Sequence, residues 1–253
     1  MWLQIPGVQF KIRGLRISHG VSYARSGAPP PNLRALLTSC VRQFSPRAFW
    51  DIEAKLGMYS WTVKSHSPQT QTVLFEPLPA HQALIRHTVS RNQLSGVSLV
   101  AAAVSDRVGR TTLRLEQFQA ARAPRAAEFY PGTVRDWGKA APLEVALATI
   151  DSERARRGPV DLLKIHVKGC EASVITGGMD TIRYDQPVVF VRCLHPQASC
   201  LSPLTQCGYR IVSVDTFSHR VNNNDFFALP PRYLSRLDAL FVDARKSIRA
   251  RLL

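Results

Sequence analysis

Side chains able to do chemistry gather at the ends of apolar runs in this chain. Asp51 and Glu53 close the run that starts at Ala48, and Gly57 follows shortly after. Glu76 closes Val73-Leu74-Phe75, and Ser105 and Asp106 close Val97 to Val104. Lys164, His166, Lys168 and Glu171 lie in or just beyond Asp161 to Val167. Carboxylates accept hydrogen bonds from hydroxyl and amino groups. A histidine takes or gives a proton near neutral pH. A glycine lets the backbone turn with positive φ and come close to a ligand.

Such residues need strands to position them. In open α/β sheets, ligands bind outside the carboxyl ends of the strands. The places to inspect are therefore Asp51 to Gly57, Glu76, Ser105-Asp106 and His166 to Glu171. The apolar runs predict strands over 48–52, 73–76, 97–104, 145–150, 161–167, 187–194, 209–214 and 225–229, with 111–116 as an additional one. Helical spacing of Leu33, Leu36, Leu37 and Val41 predicts a helix over 32–43. Further helices are expected over 57–65, 80–93, 171–182 and 202–207, with a basic amphipathic one over 231–250. Strands alternating with helices predict an α/β fold, a mostly parallel central sheet with helices on both faces. Residues 118–143, rich in Ala, Arg, Pro and Gly, read as a loop or lid insertion. The domain plan is a basic segment and helical lead-in at 1–47, a main domain at 48–230 and a basic terminal helix at 231–253.

The 253 residues suffice for one sizeable α/β domain. Lys and Arg total 33 against 18 acids, a net charge of +15. The first 50 residues hold seven of the bases and no acid. Such a surface attracts polyanions, and it reads equally as a solvated arginine-rich face. Nucleic acid is therefore a possible partner, although no paired-aromatic RNA-binding module is recognisable. The five cysteines, Cys40, Cys170, Cys193, Cys200 and Cys207, form no C-x-x-C pair. That argues against a disulfide framework and a structural zinc site, and no metal is expected. A reducing, cytoplasmic setting is the simpler inference. No apolar run reaches the length of a membrane span. The arginines and serines near the N-terminus have a faint transit-peptide character, but Pro6, Gly7, Gly14 and Gly20 interrupt any helix there.

The motifs carry a resemblance. Phe49-Trp50-Asp51-Ile52-Glu53-Ala54-Lys55-Leu56-Gly57-Met58-Tyr59-Ser60 resembles the first motif of FkbM-type S-adenosylmethionine-dependent methyltransferases, in which Asp-x-Gly-Ala-Asn-x-Gly follows a strand. Phe75-Glu76-Pro77 resembles the second motif. Asn92, Val97 to Val104, Ser105-Asp106 and Gly109 resemble the third. Val160-Asp161-Leu162-Leu163-Lys164-Ile165-His166-Val167-Lys168-Gly169-Cys170-Glu171 resembles the family's Asp-Leu-Leu-Lys-Ile-Asp-Val-Glu-Gly-x-Glu. The resemblance runs from about Phe49 to Leu229. It implies a Rossmann-like class I methyltransferase fold, S-adenosylmethionine as cofactor and a small-molecule methyl acceptor bearing a hydroxyl, such as a sugar.

The resemblance also implies roles. Gly57 would let the backbone approach the cofactor, and the following helix N-terminus would face its carboxylate. Glu76 would accept from the two ribose hydroxyls. Asp106, with Ser105 beside it, would accept from the adenine amino group. Asp51 would balance the sulfonium, with Glu53 nearby. His166 and Lys164 are the catalytic candidates, His166 as the base that takes the acceptor proton. Blander readings stand beside these. Glu76 is then an ordinary strand-end acid, Asp106 belongs to a turn, and Lys164 reaches from its strand to water. His195 is a loop histidine, and Met58 and Tyr59 are packing residues.

The departures fall on the strand ends. Glu53 replaces glycine, Lys55 replaces asparagine, His166 replaces aspartate and Lys168 replaces glutamate. Arg192 stands where an acid is common. Glu53 brings bulk and negative charge to a turn that favours glycine, and it is expected to pair with Lys55 or Lys168 and close the pocket. Three readings follow. The chain is an active methyltransferase, a non-catalytic relative that keeps the fold, or a basic nucleic-acid-binding protein. The last is excluded by an RNA affinity independent of salt. A nicotinamide dehydrogenase lacks its G-x-G-x-x-G after the first strand.

Overall fold

The computed structural model describes residues 2–4, 7–13, 29–113, 142–167, 169–193, 198–214 and 224–249. The lid candidate at 118–143 lies outside them, apart from Pro142 and Leu143. Lys168 and His195 also lie outside the described residues.

The strands are β1 (Trp2–Gln4), β2 (Lys11–Arg13), β3 (Ala48–Ile52), β4 (Gln71–Phe75), β5 (Val97–Val100), β6 (Ala102–Val104), β7 (Gly109–Leu113), β8 (Leu143–Ala148), β9 (Leu162–Ile165), β10 (Val188–Arg192), β11 (Arg210–Ser213) and β12 (Asp225–Leu229). The helices are α1 (Pro31–Phe44), α2 (Met58–His66), α3 (Pro79–Arg91), α4 (Ile150–Arg157), α5 (Glu171–Thr176), α6 (Met179–Tyr184), α7 (Ala198–Gln206) and α8 (Leu237–Arg249), with a 3₁₀ turn at Pro231–Arg236 before α8.

Seven strands form the main sheet in the order β11-β12-β10-β9-β3-β4-β5. The pairs β10–β9, β9–β3, β3–β4 and β4–β5 are parallel. The strand β12 runs antiparallel to both β10 and β11. The expected mostly parallel sheet with helices on both faces is therefore present.

The pleat divides the core. On one face Trp50, Ile52, Phe75, Leu163, Ile165, Val189 and Val191 pack with Val174, Ile175 and Ile182 of α5 and α6. On the other, Phe49, Leu162, Val188, Phe190 and Phe227 meet Leu36 and Leu37 of α1 and Leu240 of α8. The helices α1 and α8 are joined further by Ser39, whose hydroxyl donates to the Leu240 carbonyl at 3.1 Å. Phe44 stacks on Tyr233 with ring centroids 4.1 Å apart. The same face continues past Trp61, Leu74 and Ile85 to Ile12 of the N-terminal hairpin. That hairpin was not expected from the mixed polarity of its residues. The Arg13 amide donates to the Thr88 hydroxyl at 2.9 Å, tying it to α3.

The terminal helix expected over 231–250 opens as a 3₁₀ turn through Arg236, and β7 and α7 start ahead of their expected positions; three further departures have identifiable reasons. The run 97–104 is two strands, because β6 leaves the main sheet after Ala101 and pairs with β8 in a second, three-stranded sheet. The stretch 145–150 is strand only to Ala148, since Thr149 and Ser152 form a capping box that starts α4 at Ile150. The helix expected over 171–182 breaks at Gly177-Gly178. A β-carbon on Gly177 would lie 2.1 Å from the Ser105 carbonyl oxygen, so the backbone there presses directly on the 105–106 loop.

Candidate functional site

The loop after β3 shows how the fold handles its unusual residues. Glu53 and Lys55 both have φ of 55°, and Gly57 has φ of 77°. Three alternate positions thus take the left-handed backbone of a glycine-type turn, two of them with a side chain. That conformation costs a residue with a β-carbon about 1–2 kcal/mol, so neighbours must hold it. The holding bonds are clear. The Lys164 ammonium donates to the carbonyls of Ile52 and Glu53, each at 2.9 Å. The Glu76 carboxylate accepts from the Lys55 amide at 2.7 Å. The Ala54 amide donates to the Phe75 carbonyl at 3.0 Å, and the Gly57 amide to the Ala54 carbonyl at 2.7 Å. Of the two pairings expected of Glu53, the one with Lys55 forms, with Lys55 Nζ 3.5 Å from Glu53 Oε1.

Replacing Glu53 with glycine removes the left-handed penalty and one partly exposed ion pair worth little. Stability is expected to rise by about 1 kcal/mol, lifting the calorimetric melting temperature by about 2–4 °C. An unchanged or lower midpoint would mean that the Glu53 side chain stabilises the turn it strains.

Beneath the loop lies a buried layer of charge. Register places Asp51 of β3 directly beside Lys164 of β9. Their side chains are 0 % and 5 % exposed, and Lys164 Nζ is 2.9 Å from Asp51 Oδ1. The Ser60 hydroxyl of α2 donates to the other Asp51 oxygen at 2.8 Å. Burial lowers the Lys164 pKa, and the Asp51 charge partly offsets it. The ammonium also lies 5.1 Å from the centre of the Tyr59 ring. Lys164 thus does not reach out to water, and its three donors have partners within the fold. Burial pushes the Tyr59 hydroxyl up.

One strand further, Arg192 meets the antiparallel neighbour Asp225 through two hydrogen bonds of 2.7 and 2.5 Å. The departure to arginine is thus matched by an acid from β12. Tyr59, Lys164, His166, Phe190, Arg192 and Asp225 line a cavity of about 10 Å³, room for about one water molecule. His166 is half-buried just beyond β9.

The remaining candidates stand at the neighbouring strand ends. Glu76 is 1 % exposed. Its second oxygen accepts from the Leu78 amide at 3.0 Å and lies 3.2 Å from His81 Nδ1. The Ser105 amide donates to the Ala148 carbonyl, which fixes the start of the next loop. Asp106 is open to solvent, its side chain 39 % exposed, with Arg107 at 3.5 Å. Glu171 folds back to accept from the Gly169 amide at 3.0 Å. Partial burial raises the Cys170 pKa, and the charges of Glu171, Glu53 and Asp106 add to it. The loops after β3, β6 and β9 thus each bring an acid near this thiol.

Gly57 carries a second constraint. A β-carbon there would lie 2.6 Å from the Trp61 ring and 2.9 Å from Leu74. No side chain caps α2 at this end, so its first amides are available to an anion. The sequence reading passed over Ser60, Trp61 and Asp225. Trp61, at helical spacing from Gly57, carried a signal; Asp225 carried none, because its partner comes from a distant antiparallel strand.

The Methyltransferase FkbM domain family matches residues 51–211. No curated protein matches the chain. Among solved structures, the methyltransferase FkbM of Methylobacillus flagellatus KT superposes with a TM-score of 0.50 at 13 % identity, covering 81 % of this chain and 49 % of that one. The chain thus spans about half the length of that protein. The precorrin-6y C5,15-methyltransferase of Geobacter metallireducens GS-15 has a TM-score of 0.45 at 13 % identity, covering 78 % of this chain and 85 % of its own. A methyltransferase from Geobacter sulfurreducens has 0.44 at 14 % identity, covering 82 % and 85 %. With its Rossmann-like class I methyltransferase fold and a family match spanning most of its length, the chain belongs to the FkbM methyltransferase domain family.

Proposed function

We propose that this chain binds S-adenosylmethionine at the carboxyl ends of β3, β4, β6 and β9, and that it methylates a hydroxyl of a small molecule or sugar. The observation that carries this reading is the loop at Glu53–Gly57, which keeps three left-handed residues although two of them are not glycine. Backbone strain of this kind clusters at ligand-binding sites. The groups present fit the cofactor in kind. Glu76 and Asp106 are acceptors suited to ribose hydroxyls and an adenine amino group. The uncapped start of α2 suits a carboxylate. Glu53 opposes that carboxylate.

When bound, S-adenosylmethionine supplies an electrophilic methyl group. The chain's own residues align the acceptor and remove its proton. His166, just beyond β9, takes the proton from the acceptor oxygen. Lys164 acts as a positioning residue, holding Asp51 and the two loop carbonyls in place. Acceptor choice depends on residues 118–143 and the N-terminal segment. A cytoplasmic setting accords with five free thiols. No helix of the described residues is long and apolar enough to cross a membrane.

One observation favours the non-catalytic alternative. Both Glu76 oxygens already have partners, and the Glu53–Lys55 pair lies on the same loop. Calorimetric titration with S-adenosylmethionine decides between them. The unaltered chain is expected to bind weakly, and Glu53→Gly with Lys55→Asn to bind at least about tenfold tighter, a gain of about 1.4 kcal/mol. Tight binding by the unaltered chain overturns the impaired-site component. No binding by either protein overturns the cofactor assignment.

A further inference from the structure

The carboxyl end of β10 carries a pair of thiols that methyl transfer does not use. Cys193 is the first residue beyond β10 and is fully buried. Its amide donates to the Asn224 carbonyl at 2.8 Å, so the sheet holds it firmly. Cys200 lies in α7 and is half-buried. Leu201 and Leu204 of the same helix are packed in the core beneath it. The two sulfurs lie 3.1 Å apart.

A disulfide has a sulfur–sulfur bond of about 2.05 Å, so closure takes a movement of about 1 Å between groups already facing each other. Two reactive groups held in place by a sheet and a helix react as neighbours rather than by chance encounter. Both thiols are free in the structure. Burial raises the Cys193 thiol, with Cys200 adding to the effect. The half-buried Cys200 is therefore the better entry point, since the thiolate is the nucleophile and access governs rate.

We propose that Cys193 and Cys200 form a reversible thiol–disulfide site that takes a low-molecular-weight disulfide as its oxidant. The Cys200 thiolate attacks one sulfur of the small disulfide. That bond breaks, one small thiolate leaves, and a mixed disulfide remains on Cys200. Cys193 then attacks the Cys200 sulfur, and the second small thiolate leaves. The two protein thiols are oxidised, the small disulfide is reduced to two thiols, and the two protein protons pass to them. The new bond ties the first half of α7 to the end of β10, beside the Arg192–Asp225 pair.

The whole chain is incubated across ratios of oxidised to reduced glutathione, and free thiols are counted by alkylation and mass spectrometry. Two of the five cysteines are expected to become protected, with a mass loss of about 2 Da, since exchange leaves no small thiol attached. A glutathione adduct on exposed Cys170 is distinguished by its added mass. The tryptic fragment from Cys193 to Arg210 also holds Cys207, so variants assign the bond. Cys200→Ser and Cys193→Ala are expected to abolish protection, and Cys207→Ser to keep it. Near-ultraviolet circular dichroism confirms that each variant is folded. The proposal is overturned if Cys207→Ser abolishes protection while Cys200→Ser keeps it. It is also overturned if the folded chain shows no internal bond in excess oxidised glutathione.

Discussion

Replacing Lys164 with methionine is expected to lower the free energy of unfolding by about 3–5 kcal/mol, measured by chemical denaturation. The substitution keeps most of the volume and removes the charge. Asp51, 0 % exposed, then keeps one hydroxyl partner and loses its cation. Methionine also donates to nothing, so the Ile52 and Glu53 carbonyls lose their partner along with Asp51, a large loss against a usual total of about 5–15 kcal/mol. Pairing Lys164→Met with Asp51→Asn is expected to recover more than half of the loss, because the orphaned charge disappears. A loss below about 1 kcal/mol in the single variant would show that the pair contributes little.

The same pair has a pH signature. Burial sets the Lys164 pKa in the folded chain below that of the unfolded chain. Between those two values the unfolded chain binds more protons, so this group makes stability rise with pH. The gain is complete once pH passes the unfolded value of about 10.4. Subtracting the profile of Lys164→Met, measured by urea unfolding, isolates that rise from other alkaline effects. A difference that falls with pH over this window would contradict the assigned direction.

Gly57→Ala is expected to cost about 2–4 kcal/mol, summing a left-handed penalty with overpacking. The new methyl would enter the space of the Trp61 ring, 2.6 Å away. Trp61 is fully buried and donates to the Leu56 carbonyl at 2.5 Å. Its displacement is expected to change the fluorescence of the folded state as well as the unfolding midpoint. Loss of stability without a spectral change would place the cost in the backbone alone.

The parts of this fold that local rules determine were legible beforehand. The strands around Asp51, Glu76 and Lys164 are continuous apolar runs buried on both faces, and that pattern has few other readings. Gly57 was legible as a turn, although the tryptophan against it was not. Misreadings arose where a neighbour overrode a run. Ala101 interrupts an apolar stretch because β6 finds a partner in β8 rather than β4. Gly177 interrupts a helical one because Ser105 presses on it. Thr149 with Ser152 was a readable helix start that the apolar residues before it concealed. In the site, Lys164 carried two readings in sequence, as catalyst and as strand lysine reaching to water. Only its strand partner Asp51 and the carbonyls above it show what surrounds the ammonium. Arg192 was legible as a departure, but its answer, Asp225, required the strand order.

The central pairing also sets the order in which the chain can assemble. Lys164 and the Ile52 carbonyl that it binds are 112 residues apart. During synthesis β3 can align with β4 early, but its other edge stays open until β9 emerges. Through that interval Asp51 has no cation, and the apolar Phe49 and Trp50 flank an unpaired strand edge, the kind of surface that recruits other chains. So non-local a pairing in the middle of the sheet makes a slow folder. Its nascent halves gain from being kept apart from copies of themselves until Lys164 arrives.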